Sequence, residues 1–133
     1  MMLFFLFLSA CSSADITVLA RTQGSTVHFE IDEISLRRSD QAWFDDWDSL
    51  KHLTEIELDS EWQEIGWLPM VSEEQEYHHI FLDADRIFHN GEEIKDIVEP
   101  TSLGGRFSRG TIKLELEVIE APDGIGLFLI SAN

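Results

Sequence analysis

The feature that most constrains the fold of this chain is a strict alternation of apolar and polar residues over Thr111–Val118. An apolar residue stands at every second position from Ile112 to Val118. Successive side chains of a strand point to opposite faces, so this period of two predicts a β-strand with one buried and one solvated face. Residues 121–124 read Ala-Pro-Asp-Gly, which is turn chemistry, and Ile125–Ile130 is apolar again. We therefore predict a C-terminal β-hairpin.

Two further hairpins are predicted upstream. Asn90-Gly91 is a strong type I′ turn signal, because both central residues of that turn take a positive φ. Its arms are expected at about residues 77–88 and 92–98. Nearer the N-terminus, the apolar segment 16–20 and the alternating segment 27–36 flank a polar turn, which indicates another hairpin.

The alternation within residues 27–36 changes parity once. Val27, Phe29 and Ile31 occupy odd positions, whereas Ile34 and Leu36 occupy even ones. A shift of this kind in a continuous strand predicts a β-bulge, here near Asp32-Glu33.

The middle of the chain is ambiguous. Leu50, Leu53 and Ile56 are spaced like a helix face, while residues 55–58 fit a strand equally well, so we expect at most one short helix. A short strand is expected at Trp43-Phe44, and residues 65–71, which contain Pro69, are expected to form an edge or irregular strand. Together these signals predict an all-β fold, a single antiparallel β-sandwich of about seven or eight strands, with a small barrel as the alternative.

Composition excludes several functional classes. The chain has 26 acidic and 9 basic residues and a net charge of −17, which argues against nucleic-acid binding and against direct adhesion to anionic lipid. No Gly-x-Ser-x-Gly motif is present, and the single cysteine is better explained as an attachment point, so no nucleophile scheme has a starting residue. We expect no enzyme activity, although a small carboxylate-dependent glycan hydrolase stays open because acids are abundant.

One candidate metal site follows from the strand before Asn90. His79, Asp83 and Asp85 would share one face of that strand, and imidazole with carboxylates suits a divalent cation. None of the usual zinc-binding spacings is present, so ordinary polar strand residues are the competing interpretation. We expect no cofactor other than this possible divalent cation.

A second candidate site is an aromatic and acidic loop. Such a composition can stack on a sugar or hold Ca²⁺, although the residue order of an EF-hand loop is missing. The competing interpretation is that a tryptophan closes one end of the core while the acids stay in solvent. The residues are Trp43-Phe44-Asp45-Asp46-Trp47-Asp48.

The third candidate is the locally basic stretch 104–110. Arg106 and Arg109 could clasp a carboxylate or phosphate, because the guanidinium fork suits such anions. Alternatively they belong to a flexible loop and neutralise neighbouring acids.

The N-terminal segment bears on where the protein is located in the cell. Residues 1–10 are uncharged and mostly apolar, the apolar run is too short to span a bilayer, and Cys11 is the only cysteine. Leu8-Ser9-Ala10-Cys11 resembles the lipobox of bacterial lipoproteins. The resemblance implies a signal peptide at 1–10, cleavage before Cys11 and a diacylglycerol on its sulfur, with fatty acyl chains such as palmitate as the lipid anchor. The competing interpretation is an apolar N-terminal strand with a buried cysteine.

Three expectations follow from the lipobox. Residues 11–14 become a lipidated tether, residues 15–133 the folded domain, and the lipid bilayer a partner through acylated Cys11. Ser12 after the cysteine implies the outer membrane of the bacterial cell envelope. The absence of Lys or Arg before Arg21 is consistent with a start codon upstream of Met1.

From about Ile16 to Val118 the order of features resembles a family of lipoprotein domains of unknown function found in bacteria and archaea. The resemblance is carried by residues 27–36, Trp43, Leu68-Pro69, the segment 77–82 and Asn90-Gly91. It implies a β-sandwich and transfers no catalytic residues. We expect a non-enzymatic binding or structural module at the envelope, whose partner is an envelope protein, a glycan or a cation.

Overall fold

The computed structural model describes residues 14–38, 47–94, 97–98, 102–121 and 124–132. Within these ranges the chain forms twelve strands and no helix. The strands are β1 Ile16–Thr22, β2 Val27–Arg37, β3 Trp47–Ser49, β4 Lys51–His52, β5 Glu55–Leu58, β6 Gln63–Leu68, β7 Tyr77–His89, β8 Glu92–Ile94, β9 Ile97–Val98, β10 Ser102–Phe107, β11 Gly110–Ala121 and β12 Gly124–Ala132.

The strands form two sheets. The first has the order β4-β6-β1-β11-β12-β9, and the second has the order β10-β7-β2-β3, with β5 also paired to β2 and β8 to β7. Most pairings are antiparallel, but β1 pairs with β11, and β12 with β9, in parallel. The all-β, sandwich-like fold predicted from the alternation is therefore confirmed, with the addition of two parallel pairings and several strands of two or three residues.

One edge of the two sheets is closed by the segment 47–58. It begins in the second sheet as β3, contributes β4 to the first sheet and returns to the second as β5. Backbone hydrogen bonds from Leu50 to the carbonyl of Ile34 and from Leu53 to the carbonyl of Ile65 join this segment to both sheets, at 2.8 and 3.0 Å. The sandwich is therefore partly closed like a small barrel on this side.

The core lies between the facing sides of the sheets. Its largest fully buried side chains come from both sheets in the alternation that the sequence predicts. They are Ile16, Ile34, Leu36, Leu58, Ile65, Ile80, Leu82, Ile87, Ile112, Leu114 and Leu116. Among the described residues, the buried polar ones are Thr22 and Ser35.

Strands β2 and β7 carry matching irregularities. Ile31 pairs with Ala84 and Glu33 with Asp83, so Asp32 is skipped, which confirms the predicted bulge. Glu30 pairs with Arg86, so Asp85 is skipped on the other strand. Because both strands shift parity at the same level, each keeps its apolar residues toward the core on both sides of the irregularity.

The hairpin predictions divide. The β11–β12 hairpin and the β7–β8 hairpin at Asn90-Gly91 are confirmed, with φ of 56° at Asn90 and 82° at Gly91. The predicted pairing of residues 97–98 with β7 is wrong, because β9 pairs with β12 in the other sheet. The predicted hairpin of β1 and β2 is also wrong, because the turn between them carries the chain from one sheet to the other.

The remaining expectations concern the middle of the chain. The helix suggested by Leu50, Leu53 and Ile56 does not form, since β4 and β5 occupy this region. Strand β6 ends at Leu68, just before Pro69. Within the described part of the chain, it pairs on one side with the two residues of β4. The strand predicted at Trp43-Phe44 lies outside the described residues.

Candidate ligand-binding face

The outer face of the second sheet brings together residues from strands β2, β3 and β7. Arg37 on β2 pairs with Trp47 on β3 and with His79 on β7, so these three residues form one row across the sheet. In the next row, Ser35 pairs with Phe81. The row order places Trp47 diagonally across Ser35 from Phe81, on the side of the sheet away from the core.

A depression of about 450 Å³ lies over this part of the sheet, and we call it the Trp47 depression. The indole of Trp47 and the ring of Phe81 meet edge to face, with centroids 6.3 Å apart and an interplanar angle of 69°. Ser35 is only 2% exposed and belongs to β2, the strand between those that carry Trp47 and Phe81. Its side chain is too small to fill the space between the two rings. Glu33, Arg37 and His79 complete the lining. Its volume falls within the range of about 300–1,000 Å³ typical of small-molecule sites.

His79 lines the depression, and its imidazole has one polar atom without a hydrogen-bond partner. Its Nδ1 is buried and has no hydrogen-bond partner among the described residues. The other side of the ring lies against β10, where a Cβ built on Gly104 would stand 3.4 Å from both Cε1 and Nε2. A buried polar atom without a partner is costly, so a ligand group that reaches Nδ1 would supply a hydrogen bond that the described residues do not.

The carboxylate of Glu33 is held at the edge of the depression. The hydroxyl of Ser49 donates a hydrogen bond of 3.0 Å to Oε2 of Glu33. Among the described residues that line the depression, Glu33 is the only carboxylate. The site therefore lacks, within those residues, the second acid that a two-carboxylate glycosidase requires.

A second depression, of about 430 Å³, lies at the opposite end of the same outer face. One pair of its polar groups already interacts, since Nε2 of His28 lies 2.9 Å from Oε1 of Glu55. The His28 ring also meets Phe88 edge to face at 5.7 Å. The guanidinium of Arg86 lies 5.0 Å above the Phe88 ring, within the range of a cation–π interaction. We call this the Phe88 depression.

The predicted metal residues do not converge. His79 and Asp83 are four residues apart on an extended strand, which separates them by about 13 Å, and Asp85 is farther still. Metal ligands must stand within about 2–2.6 Å of one ion. In the ranges that the structure describes, no three His, Cys, Asp or Glu side chains are grouped so that they could hold a metal ion. A shared strand face therefore does not by itself bring three side chains close enough to bind one metal ion.

The aromatic and acidic loop is described only at its end. Trp43, Phe44, Asp45 and Asp46 lie outside the described residues. Trp47 is 37% exposed on the outer face. Asp48 points the other way, accepting a 2.7 Å hydrogen bond from the Tyr77 hydroxyl and lying 3.6 Å from Nε of Arg38. Trp47 therefore lies on the exposed outer face, whereas Asp48 forms a hydrogen bond with the buried Tyr77 at one end of the core.

The two predicted anion-binding arginines contact carboxylates of the protein. Nη2 of Arg109 donates to Oδ1 of Asp15 at 2.9 Å, and its Nη1 lies 3.5 Å from Glu73. Arg106 is mostly exposed and reaches Glu76 only at 4.0 Å. The segment predicted as a flexible loop is mainly strand β10, where a Cβ on Gly105 would come within 2.7 Å of the Phe107 ring.

Asp15 is held by contacts of both its side chain and its backbone. Besides Arg109, its Oδ2 accepts a hydrogen bond of 2.8 Å from the amide of Val71. Its backbone carbonyl accepts from Gly110 at 2.8 Å, and its amide donates to the carbonyl of Pro69 at 3.3 Å. The Val71 hydrogen bond and then the Arg109 guanidinium hold the pKa of the Asp15 carboxyl below its usual value. We call this set of contacts the Asp15 clamp.

Sequence reasoning missed most of the Trp47 depression. Glu33, Ser35, Arg37 and Phe81 were not singled out, although their parity opposite to Ile34, Leu36, Ile80 and Leu82 places them outward. An exposed aromatic at an outward strand position was the available signal.

Comparison with known proteins adds no relative: no protein-family model, no curated protein and no solved structure matches this chain. Cys11 lies outside the described residues, so the lipobox and the family resemblance stay predictions. Within the described ranges, the chain has no helix with the length and apolarity needed to cross a bilayer.

Proposed function

We propose that this protein is a lipid-anchored, non-enzymatic binding module of the bacterial cell envelope that binds its ligand on the outer face of its second sheet. The observation that carries the binding role is the Trp47 depression. It combines exposed aromatic surface with a buried, unused imidazole nitrogen, and the rest of that lining is polar. Concave sites with aromatic walls and a few placed polar groups are the usual form of ligand sites.

The Asp15 clamp supports the anchoring part of the proposal. Three residues stand between Cys11 and Asp15, so the four steps of chain would keep the Cα of Asp15 within about 14 Å of the Cα of a lipidated Cys11. Asp15 is bonded to two separate loops, so the domain would be held through a fixed point rather than a loose end. Acyl chains contribute about 0.8 kcal/mol per buried CH₂, and two or more chains anchor a protein stably.

No specific observation favours either of the two rival functions, metal binding or glycan hydrolysis. A metal-binding lipoprotein would use His79, Asp83 and Asp85, which the strand keeps apart. A glycan hydrolase would need two carboxylates facing one cleft, and the described lining of the Trp47 depression offers Glu33 alone.

The anchoring is tested by intact mass. The full chain with its native start is expressed in a bacterium and compared with Cys11→Ala. We expect a wild-type mass of residues 11–133 plus a diacyl or triacyl group, and its loss in the variant. An unmodified full-length mass in the soluble fraction would refute the anchor.

The binding face is tested in the same cells by crosslinking membrane fractions from wild type, Trp47→Ala and Phe88→Ala. We expect wild type and Phe88→Ala to capture the same envelope component and Trp47→Ala to lose it. Equal capture by all three proteins would refute binding at this depression.

A further inference from the structure

We infer that the Trp47 depression binds a pyranose ring of an uncharged glycan, which names the ligand class of the site and rests on the proposed binding function. The inference depends on three properties of the lining: its aromatic surfaces, its directed polar groups and its charge.

The aromatic groups suit a sugar ring. One face of a pyranose is formed by C–H groups, which are apolar and slightly positive, and the π-face of an aromatic ring is slightly negative. The Trp47 indole is 37% exposed and is braced by the Phe81 ring at 6.3 Å. A braced indole loses little conformational freedom on binding, so it can serve as a platform for stacking.

The polar groups suit hydroxyl or acetamide substituents at the rim of such a ring. Nδ1 of His79 lacks a partner among the described residues, and a sugar hydroxyl can either donate to it or accept from it. Ser35 and Arg37 also line the depression, and Ser35 is buried. A wholly apolar ligand would leave the buried nitrogen unsatisfied, which favours a ligand with polar edges.

The charge favours an uncharged sugar. Glu33 lines the depression, and the whole chain carries a net charge of −17. A uronic acid would gain an attraction from Arg37 but would be repelled by Glu33 and by the field of the remaining acids. An uncharged hexose or N-acetylhexosamine meets no such repulsion.

The Phe88 depression is the weaker candidate and therefore the matched control. It lies on the same sheet face and also contains an aromatic ring, but His28 is paired with Glu55 and the Phe88 ring is covered by Arg86. Three glutamates, Glu30, Glu55 and Glu57, line it. Removing Phe88 changes the same kind of side chain outside the proposed site.

The experiment is isothermal titration calorimetry of the full chain, expressed with its native start, with three soluble tetrasaccharides, built of β-linked glucose, β-linked N-acetylglucosamine and galacturonic acid. We expect at least one uncharged tetramer to bind more tightly than the uronate. We expect Kd for that tetramer to rise about tenfold in Trp47→Ala and in His79→Gln. Phe88→Ala should bind within twofold of wild type.

Thermal unfolding of each variant accompanies the titrations. If Trp47→Ala does not fold, His79→Gln decides the result, because it keeps a polar side chain of similar size. Tighter binding of the uronate, equal affinity in His79→Gln and wild type, or binding by neither uncharged tetramer would overturn the sugar assignment. In the last case, Trp47-dependent capture of an envelope protein would leave the proposed binding function standing, whereas equal capture by Trp47→Ala would refute that function as well.

Discussion

The hydroxyl of Tyr77 donates a hydrogen bond of 2.7 Å to Oδ2 of Asp48, joining the first residue of β7 to the middle of β3 at one end of the core. Tyr77 is 2% exposed and is the only tyrosine in the chain. Burial, followed by the hydrogen bond to Asp48, raises the pKa of the phenol well above its usual value.

Ionisation of Tyr77 can therefore be followed alone. Because its folded pKa lies above the unfolded value of about 10, its contribution to stability is complete below pH 10 and is lost as the pH rises beyond it. We expect tyrosinate absorbance at 295 nm to appear only as the protein unfolds. Asp48→Asn removes the negative charge but not the burial, so its phenol should ionise at a lower pH than in wild type and still above 10. Ionisation of native wild type near pH 10 would contradict the buried hydrogen bond.

Removal of the Tyr77 hydroxyl should also cost stability at neutral pH. Tyr77→Phe keeps the ring in the core but leaves Asp48 without this donor, so we expect a loss of about 1–2 kcal/mol in the free energy of unfolding. Denaturant unfolding of Tyr77→Phe, Asp48→Ala and the double variant measures it. A double variant equal to the sum of the single losses would mean that the two residues do not interact.

Local sequence signals predicted the elements whose partners are also local. The β7–β8 and β11–β12 hairpins were predictable because their turns and alternation lie within a short segment. The partner of β1 was not, because Ile16 pairs with Gly110, far along the chain and in parallel. Residues 16–20 look equally suited to several partners, and only the packing of both sheets selects β11.

The candidate site was predictable only in part, because local alternation shows which face of a strand a residue occupies but not which residues of other strands lie beside it. The parity shift at Asp32 was visible in the apolar pattern of β2, and a similar shift between Ala84 and Ile87 was present on β7. Alternation assigns a residue to a face, so it grouped His79 with Asp83 and Asp85, although the rise of a strand, about 3.3 Å per residue, already places them too far apart for one ion. The convergence of Trp47, Arg37 and His79 depends on three strands in one register, which no single segment encodes.

The Asp15 clamp should make the protein sensitive to acid. The folded pKa of Asp15 is depressed, so its stabilising contribution is present above the unfolded pKa of about 4 and is lost as the pH falls through the folded value. We expect Asp15→Asn to lower the thermal midpoint at pH 7 and the difference from wild type to shrink below pH 4. Glu74→Gln removes an exposed charge and is the control. A deficit in Asp15→Asn that stays constant from pH 7 to pH 2.5 would show that the charge of the clamp is unimportant.

Closure of the sandwich at β4 and β6 should depend on Gly66. A Cβ at this position would stand 3.1 Å from Cδ1 of Ile34 and 3.1 Å from the backbone oxygen of Lys51, so both the core and the β4–β6 pairing would have to move. Overpacking of this kind costs about 1–3 kcal/mol, and we expect Gly66→Ala to lower the free energy of unfolding by that amount in urea titrations.

The matched control for Gly66 is Gly104→Ala, also in a strand. Its added Cβ would meet the His79 ring at ordinary contact distances of 3.4 Å, and the site is exposed. Its cost should stay within about 0.5 kcal/mol, as for most surface substitutions. Since Lys51 belongs to the segment that joins the two sheets, hydrogen exchange should also become faster in 47–58 in Gly66→Ala than in Gly104→Ala. Equal stability of the two variants would mean that the β4–β6 contact gives way at little cost and does not hold this edge of the sandwich closed.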